Sequence, residues 1–478
     1  MFSPRIRLLL GIFCVYLLTV TTVVIVTGSR AFVVIILILG PLLLYPAFRF
    51  IYLRIFKPFT SSAKVHNEGS IPRWSRSEIL ATCLFFFLVI LMFIPLFLVE
   101  SLSSDEPLGI VSFGYNLLGS MIILLVILLV VDFGEILFSV SRYFVTERNK
   151  ELNYVSLLSG DSKPKALIAL VLYCILLTVS LVLSYQQPQV INTDIMLSKF
   201  PACLSGYKIV LITDVHCGPL VGKTQIEKLV ELVNSLDADV VLLGGDMIDG
   251  VPDQIGSIAD PFENLKSVDG VYYAVGNHEY LHGSSGPAWQ SYFKNLGIHG
   301  LNNSRVSLPV NSSCGSFDLL GVDDFMGFPS MENATAGRDI ANASILLAHQ
   351  PNFSTQAKGK NIDLQLSGHT HAGQIWPLHM ATLLGNTYFA GVYHQPEGSQ
   401  VYVSQGAVGW GPRTRFLSAN NIEVITLRRG PPDANPPVHF SVIWAFLAFP
   451  FAGISLIFCC FCGGPARRFI VKDESLNV

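Results

Sequence analysis

Charged residues are scarce in this 478-residue chain, since Asp, Glu, Lys and Arg together make up 14% of it. Soluble globular domains carry roughly 25% charged residues, so the composition argues against an ordinary cytosolic enzyme. Hydrophobic residues reach 51%, which excludes intrinsic disorder, because disordered chains combine low hydrophobicity with high charge. The net charge of −3 lacks the basic excess of a nucleic-acid-binding protein, so we expect no nucleic-acid-binding surface.

Cysteine is also sparse, with nine residues in the whole chain, which excludes a disulfide-stapled scaffold. Three of them, Cys203, Cys217 and Cys314, lie in the middle segment, where the composition is mixed. Cys203 and Cys314 could pair if this segment folds in an oxidising compartment. The odd number of cysteines leaves the pairing open.

Long apolar runs lie toward both ends of the chain. Each is close to the ~20 apolar residues that a helix needs to cross a bilayer core. We therefore predict an all-α transmembrane region of about six helices, with five in residues 1–185 and a sixth in residues 439–478. The predicted spans are Leu8–Thr27, Ala31–Phe48, Ile79–Val99, Ile110–Val131, Ala166–Ser184 and Phe440–Phe461. The first is longer than a typical signal-peptide core, which favours a retained helix over a cleaved one.

Lys and Arg follow an alternating pattern in the segments that connect these spans. They are frequent before the first span, between the second and third, between the fourth and fifth, and after the sixth. The positive-inside rule then places both termini in the cytoplasm. Residues 186–438 would form one domain in the lumen or outside the cell, and the lipid bilayer is an expected partner.

Five N-x-S/T sequons fall within that domain, in agreement with exposure to the secretory pathway, although a single match arises easily by chance. They begin at Asn302, Asn311, Asn333, Asn342 and Asn352, and the first four are the glycosylation candidates.

The middle segment combines short β-type runs with one clear helical pattern. Lys208–Thr213 and Asp239–Leu243 are apolar and rich in β-branched residues, as buried strands are. Between them, apolar residues at helical spacing predict a helix over Thr224–Leu236, and Thr224 with Glu227 matches a capping box. Seven further strand-like runs indicate a mixed α/β layered domain rather than a doubly wound fold. These runs are Val271–Val275, Phe317–Val322, Ser344–Ala348, Ile362–Ser367, Tyr388–Val392, Val401–Ser404 and Ile422–Leu427.

Polar residues with metal-binding chemistry follow five of the predicted strands. Because strand ends of one sheet converge on one rim, these residues can share a site. Their imidazole, carboxylate and amide groups suit two divalent transition-metal ions, and a pair of such ions can catalyse phosphoryl transfer. Any one motif is weak, but five in order form a strong signal. The motifs are Asp214-Val215-His216, Gly245-Asp246-Met247-Ile248-Asp249, Gly276-Asn277-His278-Glu279, His349 and Gly368-His369-Thr370-His371.

This series of motifs resembles that of the calcineurin-like metallophosphoesterase superfamily, over roughly Tyr207–Leu427. The resemblance implies a two-sheet β-sandwich flanked by helices, with two divalent metal ions (Mn, Fe or Zn) as cofactors. It implies that Asp246 bridges the metals, and that His278 acts as general acid, oriented by Asp249. It further implies one metal on Asp214, His216 and His371, and the second on Asn277, His349 and His369.

Two positions depart from the patterns of the superfamily. Gly250 stands where phosphoprotein phosphatases have an Arg that grips the phosphate, which disfavours a protein phosphatase. Gly368–Gln374 is most similar to the G-H-T-H-G-G-Q subgroup, which is often membrane-associated and acts on phosphodiester or pyrophosphate bonds. Ala372 replaces a Gly of that motif, and its Cβ is tolerable if its φ is negative.

Two further features have alternative interpretations. Arg413 and Arg415 could bind a substrate phosphate, or they could lie in a solvated turn. The apolar run Ile375–Leu384 could line a lipid-accessible rim, which would suit a lipid-linked phosphoester substrate. Core packing is the more common role of such a run.

Together these features predict a membrane-anchored, metal-dependent hydrolase that cleaves a phosphodiester or pyrophosphate-type bond by attack of a metal-activated hydroxide. An alternative is a catalytically inactive receptor or scaffold on the same fold, although a scaffold has no need of His278 and Asp249. A transporter is disfavoured, because it would need paired charges within the membrane. The predicted spans carry few charges, and Asp132 and Glu135 lie just beyond the end of the fourth span.

Overall fold

The computed structural model of the protein describes its central domain and parts of the predicted membrane region. The described residues are 50–57, 79–80, 83–84, 87–88, 91–92, 104–145, 163–281, 285–310, 312–396 and 398–432. The predicted spans Leu8–Thr27, Ala31–Phe48 and Phe440–Phe461 lie outside them, as does Asn311. Ile79–Val99 is described at eight residues, all of which are helical.

Two long helices precede the central domain, α1 (Gly109–Val145) and α2 (Lys163–Tyr185). Within the described residues, two stretches are long and apolar enough to cross a membrane, Gly109–Gly134 and Lys165–Tyr185. They contain the fourth and fifth predicted spans. The expectation of about six spanning helices is therefore supported for two of them.

Polar contacts tie these helices to one another and to an earlier segment. The Asn116 amide donates to the Tyr185 hydroxyl at 3.1 Å, which joins the domain-side ends of α1 and α2. A π-helical turn, Tyr52–Phe56, carries Arg54, whose guanidinium lies 2.7 Å from the Asp132 carboxylate. Asp132 is therefore paired with a cation, which reduces the cost of placing an acid near the bilayer.

The central domain contains two six-stranded sheets. The first has the order β1-β12-β2-β3-β4-β5 and the second β10-β11-β9-β8-β7-β6. Both mix parallel and antiparallel pairs. The strands are β1 (Gln189–Leu197), β2 (Tyr207–Ile212), β3 (Val240–Leu243), β4 (Val271–Tyr273), β5 (His299–Gly300), β6 (Ser304–Leu308), β7 (Phe317–Gly321), β8 (Ser344–Leu347), β9 (Leu364–Ser367), β10 (Gly391–His394), β11 (Gln400–Val403) and β12 (Asn421–Arg429).

Short helices connect the strands and cover the outer faces of the sheets. They are α3 (Lys223–Asn234), α4 (Pro252–Ala259), α5 (Gly286–Asn295), α6 (Met331–Thr335), α7 (Ser354–Ala357) and α8 (Leu378–Gly385). Turns of 3₁₀ helix occur at Ala202–Leu204, Asp260–Asn264, His278–Tyr280, Pro351–Phe353 and His371–Gly373.

The two sheets pack face to face. Successive residues of a strand point to opposite sides of its sheet, so every second side chain of a strand faces the other sheet. On β2, Ile209 and Leu211 are buried in the core between the sheets, together with Leu364 and Leu366 of β9. The intervening residues of β2 pack instead against α3. Strands covered on both faces are apolar nearly throughout, as predicted for β2 and β3. The expectation of a two-sheet α/β sandwich flanked by helices is confirmed for the domain.

The start of α3 differs from the prediction, which placed a capping box at Thr224 and Glu227. The helix begins one residue earlier, after Gly222, which has no side chain to act as a cap. The Thr224 N–H instead donates to the Glu106 carboxylate at 2.8 Å. Glu106 belongs to the acidic segment before α1, so a distant residue supplies the negative charge that a helix N-terminus favours.

A disulfide joins Cys203 and Cys314, whose Cα atoms lie 6.2 Å apart. The pairing left open by the sequence is therefore present. Cys217 is the remaining cysteine of the domain, and it is buried as a free thiol.

Candidate metal centre

The predicted metal-binding residues converge at one edge of the two sheets. Parallel pairing of β2, β3 and β4, and of β8 and β9, brings the carboxyl ends of these strands together. The residues that follow the strand ends are Asp214, His216, Asp246, Asp249, Asn277, His278, His349, His369 and His371. Short contacts join most of these side chains in one centre.

Turns at this edge require unusual backbone conformations. Five of the predicted ligands have φ between 50° and 72°, namely Asp214, His216, Asp246, His369 and His371. Such left-handed conformations are costly for residues with a Cβ and concentrate at functional sites. A Cβ on Gly276 would lie 2.3 Å from Asp246 Oδ1, and one on Gly368 would lie 2.2 Å from Asp214 Oδ2. Only glycine permits this close approach at both positions.

The potential ligands form two groups that correspond to two metal positions. Asp214, His216 and His371 form one group, and Asp246, His349 and His369 form another, with ligand atoms within 4.8 Å of each other in each group. His371 Nε2 lies 3.4 Å from Asp214 Oδ1 and 3.2 Å from His216 Nε2. A third group, of His216, Asp246 and His278, overlaps both. Asp246 is thus positioned between the two ligand sets.

Unpaired buried atoms indicate that these residues fit a cation. The Asn277 Oδ1 is buried without a hydrogen-bond partner. His349 Nδ1 lies 2.9 Å from the Gly244 carbonyl, so this nitrogen carries a proton, and the neutral imidazole has its lone pair on Nε2. Nε2 lies 3.0 Å from Asp246 Oδ2. Two acceptors facing each other in a buried site need a proton or a cation between them, and this donor set suits a transition metal.

Buried charges shift the pKa values of the histidines in opposite directions. Burial lowers the pKa of His369 to about 4, and the neighbouring His349 adds to this effect. His369 is therefore neutral, as a metal ligand must be. For His349, burial is outweighed by the Asp246 carboxylate, which raises the pKa to about 10. A divalent cation bound there would displace that proton.

Asp249 is not part of a ligand group, yet its carboxylate lies at the centre of the site. Its Oδ1 lies 2.6 Å from His278 Nδ1 and 3.0 Å from His216 Nδ1. Burial opposes ionisation, but the two imidazoles outweigh it and hold the pKa of Asp249 well below its usual range. The sequence predicted a role for Asp249 at His278 alone, whereas the carboxylate orients a predicted ligand as well.

His278 is adjacent to Asp246 of the second ligand group. Its backbone N–H donates to Asp246 Oδ1 at 2.8 Å, and its Nε2 lies 4.0 Å from Asp246 Oδ2. Burial is outweighed by Asp246 and Asp249, which raise the pKa of His278 to about 9. The imidazole is therefore protonated at neutral pH. The Trp410 ring packs edge-on against it, with ring centroids 5.8 Å apart.

Glu279 is a buried residue of the centre whose role the sequence did not reveal. Its carboxylate accepts hydrogen bonds from the backbone N–H groups of Met247 and Gly276, both at 2.8 Å. It also accepts from the N–H of Asp246 at 3.2 Å. Glu279 thus fixes the Asp246 loop to the Asn277 loop. Its place after His278 in the third motif is the only sequence signal for this role.

Arg413 and Arg415 are buried, so the alternative of a solvated turn is wrong. Arg413 donates to the carbonyls of Leu220 and Ser184 and lies over the Tyr185 ring. Arg415 donates to backbone carbonyls that include those of Val408 and Ala419. Because these donors are used by backbone oxygens, the geometry gives no support to a phosphate-binding role. Arg413 instead holds the C-terminal end of α2 against the domain.

Two other sequence expectations change in the structure. Ala372 has a φ of 47°, so the condition of a negative φ is not met, and its methyl group is accommodated in a strained, buried turn. The apolar run Ile375–Leu384 is divided between the two roles considered for it. Ile375 is buried with residues of α1, whereas Leu383 and Leu384 of α8 are exposed.

The glycosylation candidates differ in accessibility. Asn333 is exposed, at the middle of α6, while Asn302 and Asn342 are half-buried. Asn333 is therefore the best placed of the three to accept a glycan. Glycosylation itself stays a prediction.

Comparison with known proteins identifies close relatives of this chain. Residues 207–373 match the Metallophos family, described as calcineurin-like phosphoesterase. A Danio rerio protein named transmembrane protein with metallophosphoesterase domain is 33% identical over 340 residues, which cover 69% of this chain and 76% of that protein. A Bos taurus protein of the same name is 31% identical over 344 residues, with the same two coverages of 69% and 76%. A Helicobacter pylori protein named uncharacterized metallophosphoesterase is 39% identical over 242 residues, which cover 50% of this chain and 64% of that protein.

Proposed function

Because the chain belongs to the calcineurin-like metallophosphoesterase family, we propose that it is a membrane-anchored hydrolase of a phosphodiester or pyrophosphate-type bond. The observation that carries this proposal is the position of Asp246 between two buried ligand groups, with His278 directly beside it. A receptor or scaffold would need neither the paired ligand groups nor a histidine oriented by a carboxylate.

Two divalent metal ions would be held by the seven ligands predicted from the sequence. Asp214, His216 and His371 would bind one ion, Asn277, His349 and His369 the other, and Asp246 both. When bound, such ions supply Lewis-acid stabilisation of the phosphoryl oxygens and lower the pKa of a water molecule that serves as nucleophile. Mn, Fe and Zn all suit this mixed nitrogen and oxygen set.

His278 would donate a proton to the leaving-group oxygen. In the reaction a P–O bond to water forms, the P–O bond to the leaving group breaks, and the proton of His278 passes to the departing oxygen. Three features support this role: the Asp249 carboxylate 2.6 Å from Nδ1 fixes the ring, the pKa of about 9 keeps it protonated, and the ring is next to Asp246. A general acid needs this protonation and placement.

The preference for a diester over a phosphomonoester rests on how few cationic side chains the described residues bring to the centre. Gly250 takes the position of the phosphate-gripping Arg of protein phosphatases, and the donors of Arg413 and Arg415 bond to backbone carbonyls. A phosphomonoester dianion carries more charge than a diester, and it gains most from guanidinium contacts. A singly charged diester fits such a centre better.

We further propose that the domain lies outside the cytoplasm, with both termini inside. The distribution of Lys and Arg supports this orientation. So does the Cys203–Cys314 disulfide, because disulfides persist in oxidising compartments. The acidic segment before α1 contacts α3 of the domain through Glu106, as expected if both lie on one side of the bilayer.

The direct test is hydrolysis by the purified full chain in detergent with added Mn²⁺. A chromogenic phosphodiester and the matching monoester would be compared for wild type, Asp246→Asn and His278→Ala. His299→Ala, an exposed histidine on β5, is the matched control. We expect diester hydrolysis that both centre variants abolish and the control retains. Metal bound to the folded chain without hydrolysis of either ester would favour the scaffold.

A further inference from the structure

The exposed face of α8 is apolar. Leu384 is 88% exposed, and Leu378, Met380 and Leu383 are each between 43% and 53% exposed. The eight residues of the helix, LHMATLLG, include no charged side chain, and the imidazole of His379 is buried. A helix whose exposed face is apolar is unusual on a surface that contacts water.

This helix follows directly on a segment packed against the predicted membrane helices. Ile375 and Phe416 are buried in one apolar cluster with Ile123 and Leu124 of α1. The Trp376 N–H donates to the Phe416 carbonyl at 3.3 Å, which joins the two segments. Leu378 is three residues beyond Ile375, so it lies within about 11 Å of that cluster.

A second contact places the same face of the domain beside a spanning stretch. A Cβ added to Gly119 of α1 would lie 2.2 Å from Thr414 Oγ1 and 2.7 Å from Pro412 Cβ. Gly119 is within Gly109–Gly134, one of the two stretches able to cross a membrane. The loop that contains Pro412 and Thr414 therefore touches α1 within a stretch able to cross a membrane.

A loop that contains Gln374 links α8 to the metal centre. Gln374 donates through Nε2 to the Trp410 carbonyl at 2.7 Å and accepts from the Trp410 N–H at 3.0 Å. The Trp410 side chain is 53% exposed, and its ring packs on His278. Gln374 follows the predicted ligand His371 by three residues. A short loop thus connects the metal centre, Trp410 and α8.

We propose that the apolar rim, defined as the exposed side chains of Leu378, Met380, Leu383, Leu384 and Trp410, inserts into the acyl layer of the bilayer. The substrate would be a phosphoester that carries a long hydrocarbon chain, and it would reach the metal centre from this leaflet. Tryptophan is typical of the interface between acyl chains and water, and a helix face of leucines is buried at the boundary between headgroups and acyl chains. The substrate class rests on the proposed hydrolase function.

Insertion can be tested without measuring activity. An environment-sensitive fluorescent amino acid would be incorporated at position 384 of the full chain, which is then reconstituted in phosphatidylcholine vesicles. The control carries the same fluorescent amino acid in place of Val268. The Val268 side chain is 79% exposed, and it lies just before β4 in the chain. We expect nitroxide-labelled acyl chains to quench the probe at 384 and aqueous iodide to quench the one at 268.

Two results would overturn insertion. Iodide quenching at 384 equal to that at 268 would show that the rim faces water. Protection at 384 from both quenchers would show that another segment of this chain, or a second copy, covers the rim.

The substrate class has its own test, with two esters that share one reacting bond. The first is a diacylglycerol 4-methylumbelliferyl phosphodiester in phosphatidylcholine vesicles, and the second is the water-soluble ethyl 4-methylumbelliferyl phosphodiester. We expect the double substitution Leu383→Glu and Leu384→Glu to lower the ratio of lipid to soluble hydrolysis at least tenfold. Val268→Glu should leave that ratio unchanged.

The outcomes separate this inference from the proposed function. If the double variant hydrolyses the soluble ester with the same ratio of lipid to soluble hydrolysis as wild type, the lipid-entry inference is overturned. The proposed hydrolase function would still stand. Hydrolysis of neither ester by the metal-loaded wild type would overturn the proposed function, while the quenching experiment would still decide whether the rim inserts.

Discussion

The carboxylate of Asp249 lies 2.6 Å from His278 Nδ1, and the same oxygen lies 3.0 Å from His216 Nδ1. One residue outside the ligand groups therefore orients both the predicted general acid and a predicted metal ligand. Partners of this kind fix the tautomer and direction of a histidine. The two functions proposed for the centre, metal binding and proton donation, would therefore be coupled through this residue.

Substitution of Asp249 should therefore affect metal binding as well as turnover. We expect Asp249→Ala to weaken Mn²⁺ binding by roughly 10–100-fold, as loss of such partners does elsewhere, and to lower kcat at saturating metal. His278→Ala should lower kcat with a much smaller change in metal affinity. Mn²⁺ titration of both full-length variants checks this. Equal metal affinity in wild type and Asp249→Ala would contradict the shared role.

Glu279 should be required for stability, because it accepts from three backbone N–H groups in two loops. Glu279→Gln replaces one acceptor oxygen with an NH₂ group that faces an N–H donor. An unsatisfied buried group costs about 1–3 kcal/mol, so the thermal unfolding midpoint should fall. Glu332→Gln is the control, since Glu332 is exposed and paired with Lys360. An unchanged midpoint for Glu279→Gln would contradict the assignment.

Arg413 should contribute to the attachment of α2 rather than to substrate binding. Its guanidinium donates to the Ser184 and Leu220 carbonyls. Arg413→Met should lower the thermal unfolding midpoint, because buried carbonyls lose donors at about 1–3 kcal/mol each. The KM for the chromogenic diester should stay within about twofold of wild type, because the contacts of Arg413 do not involve substrate binding. A KM raised tenfold or more would restore the phosphate-binding interpretation.

The buried Glu423 should make the domain less stable as the pH rises. Burial raises its pKa from 4.5 to about 7, and this effect exceeds that of the hydrogen bonds from Tyr402 and Ser404, which lower the pKa. Between these values the unfolded chain releases this proton and the folded chain keeps it, so stability falls with rising pH through that window. At pH 8 the loss is about 3 kcal/mol.

Glu423→Gln should remove this pH dependence. The variant and wild type should unfold alike near pH 4.5, and the variant should be the more stable of the two at pH 8, when denaturant unfolding is followed by intrinsic fluorescence. Parallel pH profiles for the two proteins would show that Glu423 does not titrate in this way.

The sequence indicated which residues converge in the candidate metal centre, because each follows a strand in a short local motif. His349 is the only residue of its motif, and it was identified because it directly follows the apolar run Ser344–Ala348. Three strands were not predicted. The first six residues of β1, QVINTD, are exposed or half-buried, and the strand lies at the sheet edge beside β12. β5 and β6 are short or polar, so neither has the apolar run of a buried strand.

Long-range partners account for the other errors. The cap of α3 comes from Glu106, 118 positions away from Thr224, so no local pattern could indicate it. The burial of Arg413 depends on the end of α2, which is 229 positions earlier at Ser184. The positive φ of Ala372 arises in the turn that directly follows His371, where the fold overrides the preference of the residue.

The measurement that tests the central claim most directly is titration of the metal-depleted full chain with Mn²⁺, with bound metal and diester hydrolysis recorded on the same samples. The account predicts that hydrolysis rises as two equivalents of metal bind, and that Asp246→Asn loses both tight binding and activity. Binding of two equivalents with no hydrolysis of either the lipid or the soluble diester would contradict it.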